Sequence, residues 1–439
     1  MSPYPPHPVV FVPGIMGSEL QDQYPAASET VYNLWTRNYG RMALHPNAPR
    51  YEARQPAQLQ PSGLLQLIYS EFIEELRHNL SPQPDLPTPV FAFAYDWRQP
   101  LQDTALQLRE FILETIERTR LLKHYHAANY HQSPRVNLVG HSMGGLIIAD
   151  YLHHHPSNHL IHKITTLGTP FHGSPEAVLK LATGHAALGG NQSASREREI
   201  ARITPSLYHL LPSYPQAITT TPPLNADLFE PASWQPSILE SIETSFRIHG
   251  LNPDNAKIEA HQFFAQMLQS AKQHIQRVNN LNLQAINLPT NHWLAIVGLG
   301  EPTQTRIHLT RDPQGSPRFN LTQEDRQSSW SVSDWKNRTA TGDGTVPYTG
   351  ARPDFLTPNQ LVCVSSSDFG YWEIKDRLLE SLGPGLHATL PLMNLTQRLT
   401  VSHFACRTIG HIWGRRAPDS THSPWSPPIP ELEDRSGSP

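Results

Sequence analysis

Apolar residues along this chain gather in short unbroken runs, separated by longer stretches where they recur every three or four positions. Val9 to Val12 is one such run, ending at Pro13-Gly14; Val90 to Tyr95, Val136 to Val139, Ile164 to Gly168, Trp293 to Val297 and Leu361 to Val364 are the others. Runs this short without polar alternation fit strands that are covered on both faces. Between them, Leu64 to Leu80 and Leu106 to Leu122 carry apolar residues at helical spacing, as do Leu146, Ile147, Tyr151 and Leu152 after the third run. Strand alternating with helix predicts the α/β class, with a mostly parallel central sheet and helices on both faces.

Two stretches interrupt the alternation. Residues 21–60 read as a long lid-like excursion. From about Gly173 to Asn291 the strand runs cease, and helical or Pro- and Gly-rich segments replace them, among them HAALGGNQSASRERE and IEAHQFFAQMLQSAKQHIQ. An insertion of that length predicts a large, mainly helical cap. The expected organisation is residues 1–172 as the first part of the core, 173–291 as the cap and 292–413 as the second part of the core. The second part includes a hairpin-like segment around Arg306 to Trp335 and a final helix from Leu392 to Ile412. Residues 414–439 are rich in proline, serine and charge, and are expected to be a disordered tail.

The chemistry begins at Gly140-His141-Ser142-Met143-Gly144, which joins the third apolar run to the helix after it. A serine on a sharp strand-to-helix turn exposes its hydroxyl beyond the end of the sheet, and flanking glycines allow so tight a turn. Ser142 is therefore the candidate nucleophile. A serine needs a base, and the base needs a carboxylate to hold its tautomer. In α/β hydrolases these follow in the order Ser, Asp or Glu, His. Asp343, framed by glycines in TATGDGTVPYTG, is the candidate acid; a purely turn-forming aspartate is the other reading.

The base is less determined, because the chain has 24 histidines. His141 lies within the elbow, His172 precedes the acid, and His403 and His411 fall in the predicted last helix. His387, in the Gly/Pro-rich loop GPGLHATLPLMNL, is the preferred candidate and His403 the runner-up. Two backbone N–H groups are expected to hold the oxyanion: that of Met143, just after the nucleophile, and that of Ile15 in the loop Pro13 to Ser18. Trp35, Phe171 and His172 are candidate substrate contacts. No metal site and no cofactor are expected.

Composition narrows the classes of partner. The formal charge of −4 is spread without single-sign blocks, which leaves no electrostatic footprint for nucleic acid. Two cysteines, Cys363 and Cys406, are too few for a disulfide scaffold and read as buried thiols. The N-terminal VVFV is too short to target or span a membrane, so a cytoplasmic protein without a transmembrane segment is expected.

The motifs VPGIMGSEL, YDWR (Tyr95 to Arg98), GHSMGG, TLGTPFHGS, SLYHLLPSYP and GDGTVP, in this order, resemble the lecithin:cholesterol acyltransferase group. That group includes lysosomal phospholipases and phospholipid:diacylglycerol acyltransferases. The resemblance implies an α/β-hydrolase fold with a cap, Ser142, Asp343 and His387 as triad, Ile15 and Met143 as oxyanion hole, and Asp96 with Arg98 as a structural ion pair. Unlike the secreted members, this chain has no cysteine between Gln21 and Tyr51, which implies a differently built lid. Without an N-terminal transmembrane helix it also departs from the diacylglycerol acyltransferase branch.

The expectation is thus a serine carboxylic-ester hydrolase working through an acyl-enzyme on lipid-like esters, with transient contact to a lipid interface. Acyl transfer to an alcohol is the alternative, and a catalytically silent binding protein on a hydrolase scaffold is the second. The apolar faces of LYHLLP and FFAQML either line an acyl channel or form the core of the cap. The acceptor, the acyl length and the oligomeric state are not legible at this level.

Overall fold

The computed structural model describes residues 5–183, 195–221, 226–299, 301–320, 342–357, 360–365 and 393–405. In chain order its strands are β1 (Val9–Val12), β2 (Ser18–Asp22), β3 (Glu29–Tyr32), β4 (Leu44–His45), β5 (Ala48–Glu52), β6 (Leu59–Leu64) and β7 (Val90–Ala92). They continue with β8 (Val136–His141), β9 (Ile161–Leu167), β10 (Ile218–Thr221), β11 (Trp293–Leu299), β12 (Ile307–Arg311), β13 (Pro317–Asn320) and β14 (Leu361–Ser365). The six apolar runs supply one sheet in the order β14-β11-β9-β8-β1-β7, parallel throughout.

Both faces of this sheet are covered, which is why its strands show no polar alternation. Val10, Val12 and Leu138 share one core with Leu146 and Ile147 of the helix Met143–His154 and with Leu108 and Ile112 of the helix Leu101–Arg120. Their neighbours Val9, Phe11 and Val139 point the other way, into a second core with Phe72 and Leu76 of the helix Gln66–Leu80 and with Leu399 and Val401 of the helix Met393–Ala405. The run from Val90 is a strand only as far as Ala92. Beyond it the Tyr95 N–H turns to Ser18 Oγ at 3.1 Å, drawing the chain toward the loop after β1.

The excursion at 21–60 is built rather than open. β2 pairs antiparallel with both β3 and β6, and β4 with β5 forms a separate hairpin. Arg98 fastens it to the core. Its guanidinium meets Asp96 through Nε at 2.8 Å and Nη2 at 2.8 Å, and gives Nη1 to the Met42 carbonyl at 2.9 Å. The structural ion pair expected of YDWR is present, and it joins the excursion to the sheet.

Within the predicted cap, the helix Ala256–Asn279 buries Ala260, Phe263, Phe264, Leu268, Ala271, Ile275 and Val278, a stripe at steps of three and four. LYHLLP is buried as well, with Leu207, Tyr208, Leu210 and Leu211 all inside. Of the two readings for these segments, the structure realises the packed core. Among the described residues between 173 and 291 one strand does occur: β10, sequence ITTT, pairs in parallel with β12, which itself pairs antiparallel with β13. Three threonines carry little apolar signal, and the partner lies far along the chain, so local pattern could not reveal it. This small sheet bridges the boundary expected near 291. The part of the hairpin-like segment beyond Asn320, the loop with His387 and the residues after 405 lie outside the described residues. Cys363 on β14 is half-buried rather than fully buried, and Cys406 is outside the described residues. Among the described residues no helix is long and apolar enough to cross a membrane.

Candidate active site

β8 delivers the chain to Ser142, which adopts φ 51° and ψ −124° before the helix Met143–His154 begins. A positive φ on a non-glycine residue costs of order 1–3 kcal/mol, so the surroundings must hold it. They do so from both sides. The Ser142 N–H donates to the Leu167 carbonyl at the end of β9 at 2.8 Å, and the Gly145 N–H returns to the Ser142 carbonyl at 3.0 Å. Gly144 lies so close to the end of β1 that a Cβ there would run into the Val12 carbonyl. The motif's second glycine is thus a close-approach residue.

The loop after β1 is pressed against the elbow. A Cβ on Gly14 would stand 2.9 Å from the Ser142 Cβ and 3.1 Å from His141 Nδ1. The loop closes on itself through the Gly17 N–H and the Gly14 carbonyl at 3.0 Å. Met143 is the first residue of its helix, where an N–H has no partner within the helix. Neither the Ile15 nor the Met143 N–H donates to another described residue. Two uncommitted donors beside a strained serine, one of them at the positive end of a helix, are suited to a developing oxyanion.

Asp343 is 1 % exposed. Its Oδ1 accepts the N–H groups of Thr345 at 2.9 Å and Val346 at 2.7 Å, which folds the Gly-framed turn around the carboxylate. The turn docks just beyond β11, where the Glu301 N–H reaches the Gly342 carbonyl at 3.1 Å and the Gly344 N–H reaches Thr303 Oγ1 at 2.9 Å. Ser174, shortly after β9, donates its hydroxyl to the Thr345 carbonyl at 2.5 Å. Asp343 therefore belongs to the same sheet edge as Ser142, the edge made by strand C-termini. Its turn-forming bonds coexist with that placement.

Among the histidines, the runner-up is at the wrong end. His403 is 5 % exposed and its Nε2 meets the His292 carbonyl at 3.2 Å, while its own carbonyl receives Lys163 Nζ near the start of β9. Ser142 is bonded to Leu167, the last residue of that strand and four residues beyond Lys163, which is roughly 13 Å of strand. In sequence His403 merely follows the acid; only the packing of its helix fixes which end of the sheet it reaches. His387 lies outside the described residues, as does His411. The His141 imidazole is turned to Tyr69, with Nδ1 3.0 Å from the hydroxyl.

The substrate candidates fare unequally. Phe171 is 2 % exposed and sits edge-on to Phe355 at 5.4 Å and Trp293 at 6.2 Å, so it belongs to an aromatic core and is not open to substrate. A phenylalanine just after a strand is ambiguous in sequence; the facing Trp293 and Phe355 decide it. His172 acts as a joint: its N–H donates to the Gly350 carbonyl and its carbonyl accepts the Ser213 N–H, both at 2.8 Å. Burial depresses its imidazole, against the pull of Asp354, whose Oδ1 is 3.4 Å from Nε2. Trp35 is 85 % exposed, so it lines no closed cavity.

Sequence reasoning missed three tyrosines that surround the loop after β1. Tyr95 donates to the Pro13 carbonyl at 2.8 Å, Tyr32 donates to the Met16 carbonyl at 3.1 Å, and Tyr69 accepts the Gly14 N–H at 3.4 Å. Tyr95 lies in YDWR and had a signal, whereas Tyr69 looks like any aromatic on the buried face of a helix.

Comparison with known proteins agrees with this architecture. The family described as lecithin:cholesterol acyltransferase matches residues 62–352, more than half of the chain. No curated protein matches the sequence. Among solved structures, the crystal structure of a Tle4-Tli4 complex contains a chain with TM-score 0.62 at 14 % identity, covering 92 % of this chain and 99 % of that one. The Bacillus licheniformis lipase BlEst2 in its mature form gives TM-score 0.34 at 13 % identity, covering 82 % of this chain and 84 % of that one. With its parallel sheet, serine elbow and family match, the chain belongs to the lecithin:cholesterol acyltransferase family of α/β hydrolases, enzymes that act on esters.

Proposed function

We propose that this protein is a serine carboxylic-ester hydrolase acting on lipid-like esters through an acyl-enzyme. The observation that carries the reading is Ser142 at φ 51° on a helix N-terminus, with the backbone of Gly14 against its Cβ and the Ile15 and Met143 N–H groups uncommitted among the described residues. In this reading Ser142 Oγ attacks the ester carbonyl carbon as His387 takes its proton. The carbonyl oxygen becomes an oxyanion held by the Ile15 and Met143 N–H groups. Collapse of the tetrahedral species breaks the bond to the alkoxy oxygen, and His387 returns the proton to the leaving alcohol. Asp343 orients His387 and stabilises its charged form. Water, deprotonated by His387, then releases the acyl group as the acid and restores Ser142.

Acyl transfer to an alcohol uses the same residues, and the family contains such enzymes by name. The first experiment is hydrolysis of acyl nitrophenyl esters of graded chain length. Ser142→Ala is expected to abolish nitrophenol release while keeping the wild-type unfolding transition; undiminished turnover in that variant overturns the mechanism. Repeating the assay with an added long-chain alcohol, and measuring ester against free acid, separates transferase from hydrolase.

A further inference from the structure

We infer that Tyr69 is a positioning residue for the oxyanion loop, acting with Tyr95 and Tyr32 to fix the backbone from Pro13 to Met16 against Ser142. The inference rests on the serine-hydrolase reading above and deepens it. The three tyrosines come from three separate elements: Tyr32 ends β3, Tyr69 lies in the helix Gln66–Leu80, and Tyr95 follows β7. All are buried, at 3 %, 3 % and 1 % exposure. Their hydroxyls take the Met16 carbonyl, the Gly14 N–H and the Pro13 carbonyl in turn. The Ile15 N–H, between these anchored positions, is left to point where no described residue claims it.

The loop needs such holding. Met16 sits at φ 58°, an uncommon left-handed conformation for a non-glycine residue, and a strained turn relaxes unless its surroundings fix it. Tyr69 does more than hold one group. Its oxygen accepts the Gly14 N–H and also lies 3.0 Å from His141 Nδ1. One hydroxyl thus bridges the residue before Ser142 and the residue before Ile15. It sets the spacing between nucleophile and oxyanion donor, which must be right before charge develops if it is to lower the barrier. Burial raises the Tyr69 phenol well above its ordinary range, so the hydroxyl keeps its proton throughout the working pH range.

The test compares Tyr69→Phe with Tyr125→Phe. Tyr125 also gives a buried hydroxyl to a backbone carbonyl, that of Pro6 at 2.6 Å, but before β1 and at the far end of the sheet. Both variants are checked for wild-type-like unfolding and assayed on an acyl nitrophenyl ester. Tyr69→Phe is expected to lower kcat about tenfold to a hundredfold with KM within about twofold, because only transition-state binding is lost. Tyr125→Phe should leave both parameters unchanged. Phosphonylation of Ser142 by a nitrophenyl alkylphosphonate, whose phosphoryl oxygen occupies the oxyanion position, should slow in parallel with kcat. If Tyr69→Phe does not fold, Tyr95→Phe gives the same reading through Pro13. A folded Tyr69→Phe with wild-type kcat, or with only KM raised, overturns the inference. A wild type that turns over no ester and resists the phosphonate overturns instead the hydrolase reading on which it rests.

Discussion

At Gly144 a single hydrogen atom is all that fits between the nucleophile helix and the end of β1. Gly144→Ala therefore forces helix and loop apart, with an overpacking cost of about 1–3 kcal/mol. It also moves the Met143 N–H away from Ser142. The expected outcome is a lower urea midpoint together with a fall in kcat; a variant with wild-type values for both contradicts the close approach. This position was legible in the sequence because the requirement is local: the elbow needs its glycines at fixed offsets from Ser142. The turn at Asp343 was legible for a similar reason, since a Gly-framed turn can wrap a carboxylate with its own N–H groups. Phe171 and His403 were not. Whether a phenylalanine faces a substrate or Trp293, and which end of a sheet a histidine in a late helix reaches, are decided by residues more than a hundred positions away.

Among the elements, the helix Ala256–Asn279 is tied to the nucleophile helix by charge as well as by apolar packing. Asp150, fully buried on Met143–His154, holds His274 Nδ1 at 2.8 Å and Arg277 Nε at 3.0 Å. Burial alone would raise this carboxyl; His274 and Arg277 outweigh it and keep it below the usual carboxylate range. Replacing one partner of such a group strands the others. Asp150→Asn is expected to cost about 3 kcal/mol in urea unfolding at neutral pH, and an unchanged midpoint would show that the helices are held by apolar contacts alone. The helices themselves were readable from their spacing, as were the six parallel strands, because burial on both faces leaves a dense apolar run. β2, β3 and β6 were not, since they are short, polar at alternate positions and interrupted by Pro61 and Gly63. What makes them strands is mutual pairing.

Across the whole molecule, the sheet separates two chemically distinct ends. Opposite Ser142, His7, His162, His292 and His403 gather around the strand starts, with the His7 and His162 rings 4.2 Å apart and those of His162 and His292 5.0 Å apart. Burial is the main cause that lowers His7 to about 4 and His162 and His403 to about 3; Lys163 adds to all three and Arg135 to His7 and His162. His292 is lowered too, again by burial first. In the unfolded chain each would take a proton near pH 6.5. Between that pH and their folded values the unfolded state binds more protons, so stability is full above about pH 6.5 and declines as the pH falls toward 4. Thermal unfolding followed from pH 7.5 to pH 4.5 should show Tm dropping over that window. His403→Gln, whose amide can still donate to the His292 carbonyl, should flatten the decline, and a slope unaffected by the change would place the acid sensitivity elsewhere. Because these imidazoles lie a strand's length from the elbow, acid tolerance and turnover are separable traits: one end of the molecule can be altered for survival at low pH while the other keeps its rate.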